Sequence, residues 1–344
     1  MNLELRPVAD GVYATSRAEL QVEVCDVVVF DMDGVLIDVR HSYPVVICRA
    51  VDQFLAENGF SGDGTAVTPE ETTYFKAAGG FNSDWALAQG VALVYLVKAQ
   101  MAGARQIDGL RNLSPDLATV ARAAAQLGGG LDGLTRALGH WADAQDLERA
   151  LNEWDRARIT RLAQEFYAGD QALTVFGVTN DTISGDGLML TEKPLVTREE
   201  LLAAPFQYGL YTGRNRGEVE TAFQMANLSG IFPESAIITE NTGIKKPNPA
   251  GLFRIAEALK PHLMIYAGDN LDDWQVAARY ETERPLDAPP CLFCGVLNGS
   301  PGPMSFNLFQ ERGADLMTQS VPHLLRWLSQ RRRTWAQAEA PSRS

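Results

Sequence analysis

The sequence predicts an α/β protein: a doubly wound parallel sheet, interrupted by an inserted α-helical domain. Three observations carry this. A β-branched run at 25–30, CDVVVF, reads as a fully buried strand. From His41 to about Ala203 the apolar residues recur at helical spacing. After Pro205 short strands alternate with helices, the order expected of a parallel sheet covered on both faces. The predicted domains are therefore 1–42 with 204–344 as the α/β core, and 43–203 as the inserted helical domain.

The elements follow in order. Residues 1–24 mix polar and apolar positions without a readable period. A helix is expected over 43–58, stopped by Gly59. Thr68-Pro69-Glu70-Glu71 has the form of a helix start, with Thr as cap, Pro at the first helical position and Glu three residues on. Ser83-Asp84 and Ser114-Pro115-Asp116 are further starts, and three glycines at 128–130 break the chain. Residues 146–167 read as one long helix, and Thr197 to Glu200 repeats the capping pattern. Strands are then expected at 207–211, 236–239, 263–267, 291–297 and 315–318. Helices are expected at 215–228, 249–259, 271–280, 304–312 and 321–331.

Composition narrows the function classes. Thirty basic against 43 acidic residues give a net charge of −13, unsuited to nucleic acid or an anionic membrane. The most apolar stretch, 85–97, is interrupted by Gln89 and reads as a buried helix rather than a span. Four cysteines in 344 residues are too few for a disulfide scaffold. Without an apolar leader in 1–23, the expected location is the cytoplasm.

The chemistry sits at strand ends. Asp31 and Asp33 follow the first buried strand, and Gly34 permits the chain to turn there. In open α/β sheets ligands bind beyond the carboxyl ends of the strands. A second acidic group, GDNLDD at 268–273, follows the strand at 263–267 in the same manner. Two carboxylates ~4 Å apart repel by roughly 4 kcal/mol at an effective dielectric of 20. Such a cluster calls for a cation, and oxygen donors without His or Cys favour Mg²⁺ over Zn²⁺. Thr212 and Gly213 end a third strand, where a hydroxyl and backbone N–H groups can hold phosphate oxygens, although Thr-Gly is also a common turn. Lys245-Lys246 precedes Pro247, a placement that suits a fixed cation and equally a solvated pair. Cys291 and Cys294 have no second pair nearby in sequence and read as buried strand residues.

Taken in order, DMDGVLID at 31–38, YTG at 211–213, KKPNP at 245–249 and GDNLDD at 268–273 resemble the four motifs of the haloacid dehalogenase (HAD) superfamily. The helical block between the first two resembles the cap of its phosphoglycolate-phosphatase-like branch. The resemblance implies a Rossmann-like HAD core. It makes Asp31 the nucleophile and Asp33 the general acid and base. Thr212, Gly213 and Lys246 would hold the phosphoryl group. Asp31, Asp33 and Asp269 would bind Mg²⁺ with Asp273 in support, while Asp272 has no assigned role. An acid at position 33 points to phosphoesters, because a halide leaving group needs no protonation.

The expected activity is hydrolysis of a small phosphorylated metabolite through an aspartyl-phosphate. The alternatives are a phosphotransferase or phosphomutase of the same superfamily, and a catalytically silent binding protein. Recognition of the rest of the substrate is expected from Lys76, Asn82 and Arg214, although 76–85 equally reads as a plain helix–helix connection and Arg214 as an exposed helix-start residue. The first two lie on a segment that breaks a helix with Gly79-Gly80, and the third follows the second motif.

Overall fold

The computed structural model describes residues 4–81, 83–298 and 303–339. The chain divides into two compact units, Met1–Val39 with Glu192–Ser344, and Arg40–Thr191.

The first unit is built on a sheet that has eight strands among the described residues. In chain order its strands are β1 (Arg6–Ala9), β2 (Val12–Ala14), β3 (Val27–Phe30), β6 (Gln207–Tyr211), β7 (Ile237–Ile238), β8 (Met264–Gly268), β9 (Cys291–Val296) and β10 (Leu316–Thr318). β4 (Ile37–Asp38) and β5 (Lys193–Pro194) form a separate two-stranded antiparallel ladder. The spatial order is β1-β2-β10-β9-β8-β3-β6-β7. From β10 to β7 every pairing is parallel; β2 runs antiparallel to β10, and β1 antiparallel to β2. Alternate residues of β3 point into different layers: Val28 and Phe30 join one apolar cluster, Val27 and Val29 the other. A strand buried on both faces needs an unbroken apolar run, as 27–30 supplies.

The topology places one site. From β3 the chain steps outward to β6 and β7, and it returns on the opposite side of β3 to form β8, β9 and β10. The succession therefore reverses at β3, the place beyond which open α/β sheets bind their ligands. In register, Phe30 lies opposite both Leu210 and Ala267. The residues just past those three positions, Asp31, Thr212 and Asp269, consequently leave the sheet along the same edge.

The unreadable N-terminal segment is a hairpin, β1 and β2, followed by a helix at Ser16–Gln21 capped by Thr15. Strands of three and four residues have no period to display. They form because β2 pairs with β10 and so extends the sheet. The helix Arg198–Ala203 also belongs to this unit. Its Leu201 lies in a core cluster with Tyr208, whose hydroxyl donates to the Leu201 carbonyl at 2.7 Å.

The second unit is helical and centres on Asp84–Ala102, a helix buried on nearly all sides from Leu87 to Ala99. It packs against helices Tyr43–Glu57, Gly130–Leu138, Ala144–Glu153 and Arg156–Ala168. That enclosure explains an apolar sequence with no polar stripe. No helix among the described residues is long and apolar enough to cross a membrane. The helix expected over 146–167 is instead two, Ala144–Glu153 and Arg156–Ala168. Asp155 caps the second by accepting from the Arg158 N–H at 2.9 Å, and the Trp154 indole donates to the Gln89 carbonyl at 2.8 Å. Periodicity runs through a break of this kind because both helices present an apolar face to the same neighbour. At Thr68 the capping bonds form as expected, with the Thr68 N–H on Glu71 Oε2 at 2.8 Å. The helix itself begins later, at Thr72.

Candidate active site

Asp31 is the first residue past β3, and its N–H donates to the Ala267 carbonyl at 2.9 Å. The side chain is buried. Burial pushes its carboxyl well above the ordinary range; Lys246 pulls it back, while Asp273, Asp33 and Asp269 raise it further. Lys246 Nζ lies 2.7 Å from Asp31 Oδ1 and 2.6 Å from Asp273 Oδ1. Its burial would drive the ammonium down, yet Asp273 and Asp31 outweigh that and hold it above the usual lysine value. Of the two adjacent lysines, Lys246 faces the acids, and Lys245 is exposed and pairs with Glu240 at 2.7 Å.

Asp273 is fully buried in the first turn of the helix Leu271–Glu283. It completes a capping box with Asn270, whose Oδ1 accepts from the Asp272 and Asp273 N–H groups. Its own Oδ1 accepts from Lys246 and from the Tyr266 hydroxyl at 2.7 Å. Its Oδ2 accepts from the Asp269 and Asn270 N–H groups at 3.2 and 3.3 Å. These bonds fix Asp273 as the anchor of the lysine. Gly268 makes the arrangement possible, since a Cβ there would overlap Cβ and Cγ of Asp273. Gly268→Ala is therefore expected to lower stability by about 1–3 kcal/mol, as inserted core atoms do. Denaturant unfolding of the two proteins checks it.

Carboxylate oxygens of Asp31, Asp269 and Asp273 lie within 4.8 Å of one another. The group is all oxygen, which suits a hard divalent cation. Asp33 stands two residues past Asp31 and is half-buried, and Gly34 behind it takes φ +72° to turn the chain. Thr212 is buried with its N–H on the Ile238 carbonyl at 3.0 Å, and Gly213 is exposed beside it. Asp31, Thr212, Lys246, Asp269 and Asp273 thus belong to one edge of one sheet, with Asp33 on the loop that leaves it.

The haloacid dehalogenase-like hydrolase family matches residues 25–280, a span that contains every one of these residues. The chain belongs to the haloacid dehalogenase-like hydrolases. No curated protein matches its sequence. Among solved structures, phosphatase Tt82 from Thermococcus thioreducens is 21% identical, with a TM-score of 0.50, over 83% of this chain and 99% of that one. A structural-genomics target is 19% identical with a TM-score of 0.57, over 87% and 97% of the two chains. A predicted phosphoglycolate phosphatase from Haemophilus somnus 129PT is 11% identical with a TM-score of 0.46, over 88% and 97%. Likeness at these identities concerns the fold.

Within this HAD site, three features escaped the sequence reading. Tyr211 and Tyr266 stack at 6.2 Å, and Lys246 Nζ lies over both rings, 5.6 and 5.7 Å from their centroids. Burial, with Asp273 and Asp31 adding to it, raises the Tyr266 phenol far above its ordinary value, so it remains a donor. Both tyrosines look like plain strand residues in sequence. The third feature is Glu192, which meets Arg214. Arg214 has a side chain 1% exposed, with Nη2 2.6 Å from Asp33 Oδ1 and 2.9 Å from Glu192 Oε2. Nearby Arg216 is turned outward, where it pairs with Glu220 and Glu234. Lys76 lies in the helical unit with Nζ 3.0 Å from Asp84 Oδ1. Asn82 falls outside the described residues. Cys291 and Cys294 are free and buried, and burial raises both thiols well above their ordinary value.

Proposed function

We propose that this chain is a Mg²⁺-dependent phosphoric monoester hydrolase acting on a small phosphorylated metabolite. The observation that supports it most is the Asp31 carboxylate, buried at the strand end against the Lys246 ammonium with Asp33 two residues on. A buried carboxylate beside a fixed cation is placed to attack phosphorus.

In the first step an Asp31 oxygen bonds to phosphorus, the ester P–O bond breaks, and Asp33 gives its proton to the departing oxygen. The products are an alcohol and an aspartyl-phosphate. In the second step Asp33, now ionised, takes a proton from water as the water oxygen bonds to phosphorus. The P–O bond to Asp31 breaks and inorganic phosphate leaves. Lys246 and Thr212, with the Gly213 backbone, hold the transferred group while its charge spreads over the outer oxygens. Asp31, Asp269 and the Asp33 carbonyl oxygen would hold Mg²⁺, with Asp273 in support, and the bound ion would supply neutralising charge. Asp31 must be ionised to attack, and burial with three acidic neighbours works against that. Lys246 acts to restore it.

Release of inorganic phosphate from p-nitrophenyl phosphate, with and without Mg²⁺, is the test. Metal-dependent release is expected. Transfer to a sugar hydroxyl without net release would point to a phosphotransferase, and inactivity with intact phosphate binding to a silent member. A screen of phosphorylated metabolites then finds the substrate.

A further inference from the structure

Arg214 and Glu192 have no part in the two steps above, yet both are almost wholly withdrawn from water, with side chains 1% and 3% exposed. Desolvating a guanidinium and a carboxylate together is expensive and seldom favourable for stability alone. The main chain of Arg214 is tied at both ends. Its N–H donates to Thr212 Oγ1 at 3.2 Å, and its carbonyl accepts from the Glu240 N–H at 2.9 Å. The guanidinium reaches Asp33 Oδ1 twice, from Nε at 2.8 Å and from Nη2 at 2.6 Å, and Nη2 also reaches Glu192 Oε2. Glu192 is fixed in turn. The residues after it, β5, pair with β4, which lies on the same loop as Asp33, and the Leu195 N–H donates to the Leu36 carbonyl at 2.8 Å.

We infer that Arg214 and Glu192 are positioning residues for the acid–base carboxylate Asp33, an inference that rests on the phosphatase reading. Asp33 lies on a turn beside a glycine, with side-chain torsions that the turn itself does not fix. A planar guanidinium fixes direction as well as distance, which an ammonium cannot do. It grips Oδ1, and proton transfer needs only the other oxygen. Glu192 sets the guanidinium from behind, so that Asp33 is held at one place along the path of the leaving oxygen. Misplacement of a catalytic group by about 1 Å can cost ~100-fold.

The test is leaving-group dependence. Phenyl phosphate needs its leaving oxygen protonated far more than p-nitrophenyl phosphate does. Arg214→Ala is expected to lower kcat on phenyl phosphate by about 100-fold, within the range that general acid catalysis supplies. The loss on p-nitrophenyl phosphate is expected to be at least roughly tenfold smaller, with KM for both within about threefold of wild type. Arg214→Lys should recover little, because it lacks the fork. Glu192→Ala should reproduce the pattern more weakly, and Glu192→Gln should restore most of the activity. In an Asp33→Asn background, Arg214→Ala should add no further loss. Equal losses on both esters, or a large rise in KM, would assign Arg214 to phosphate binding and overturn the inference. Should Arg214→Ala fail to fold, the two Glu192 variants decide by the same comparison. A wild-type enzyme that hydrolyses neither ester defeats the phosphatase reading itself. An active wild type with losses independent of the leaving group defeats only this inference.

Discussion

Asp31→Asn is expected to fold normally and to lose phosphatase activity by several orders of magnitude. The side chains are nearly isosteric, and the main-chain bond from residue 31 to the Ala267 carbonyl does not depend on the side chain. A carboxamide is a poor nucleophile and a weaker metal donor, so the step that forms the aspartyl-phosphate loses its attacking atom. The same change relieves an electrostatic load. Burial and the neighbouring carboxylates Asp273, Asp33 and Asp269 all disfavour charge at position 31, and only Lys246 favours it. Lys246 keeps Asp273 as a partner at 2.6 Å when Asp31 is neutralised. The melting temperature of Asp31→Asn is therefore expected to equal or exceed that of the wild type, as happens where activity requires a strained arrangement. Thermal melts alongside phosphate-release assays check both halves. Turnover near the wild-type rate in the folded variant would remove Asp31 from the role of nucleophile.

The residues of this site were legible in the sequence to different degrees, for physical reasons. Asp31, Thr212 and Asp269 each follow a buried apolar strand, and a strand end is marked locally by the change from β-branched to polar residues. The parallel register then brings them to one edge, so adjacency followed from the fold class. Tyr211 and Tyr266 gave no such signal. Each is an aromatic residue inside a strand, and its relation to Lys246 exists only once β6 and β8 flank β3. Arg214, proposed from sequence as a contact to the rest of the substrate, is buried against two acids. One of them, Glu192, is 22 residues away. A polar residue just before a helix ordinarily faces water, and only tertiary structure overrides that. The N-terminal hairpin was unreadable for a related reason: strands of three or four residues owe their existence to a partner, here β10, about 300 positions later in the chain.

Removal of divalent metal is expected to abolish activity, and Mg²⁺ in excess to restore it. The argument begins with charge. Oxygens of Asp31, Asp269 and Asp273 lie within 4.8 Å of one another. One ammonium, from Lys246, lies against two of these groups. A single positive charge leaves such a cluster short of neutrality. Each close carboxylate pair repels by roughly 4 kcal/mol at an effective dielectric of 20. The oxygens of Asp273 are already engaged by Lys246, Tyr266 and two backbone N–H groups, which directs a bound cation toward Asp31 and Asp269. Mg²⁺ suits a few carboxylates with open positions for substrate oxygens, whereas Ca²⁺ prefers a looser and more crowded shell and is expected to support little turnover. Because a cation that binds only the folded chain stabilises it, Mg²⁺ at about 100 times its Kd should add ~2.7 kcal/mol to the unfolding free energy. Asp269→Asn should lose both the activity and most of that stabilisation, and this separates binding at the acidic cluster from a general effect of salt. Full turnover after exhaustive chelation, or an equal Mg²⁺-dependent stabilisation in Asp269→Asn, would place the chemistry outside the cluster that Asp31 shares with Asp269.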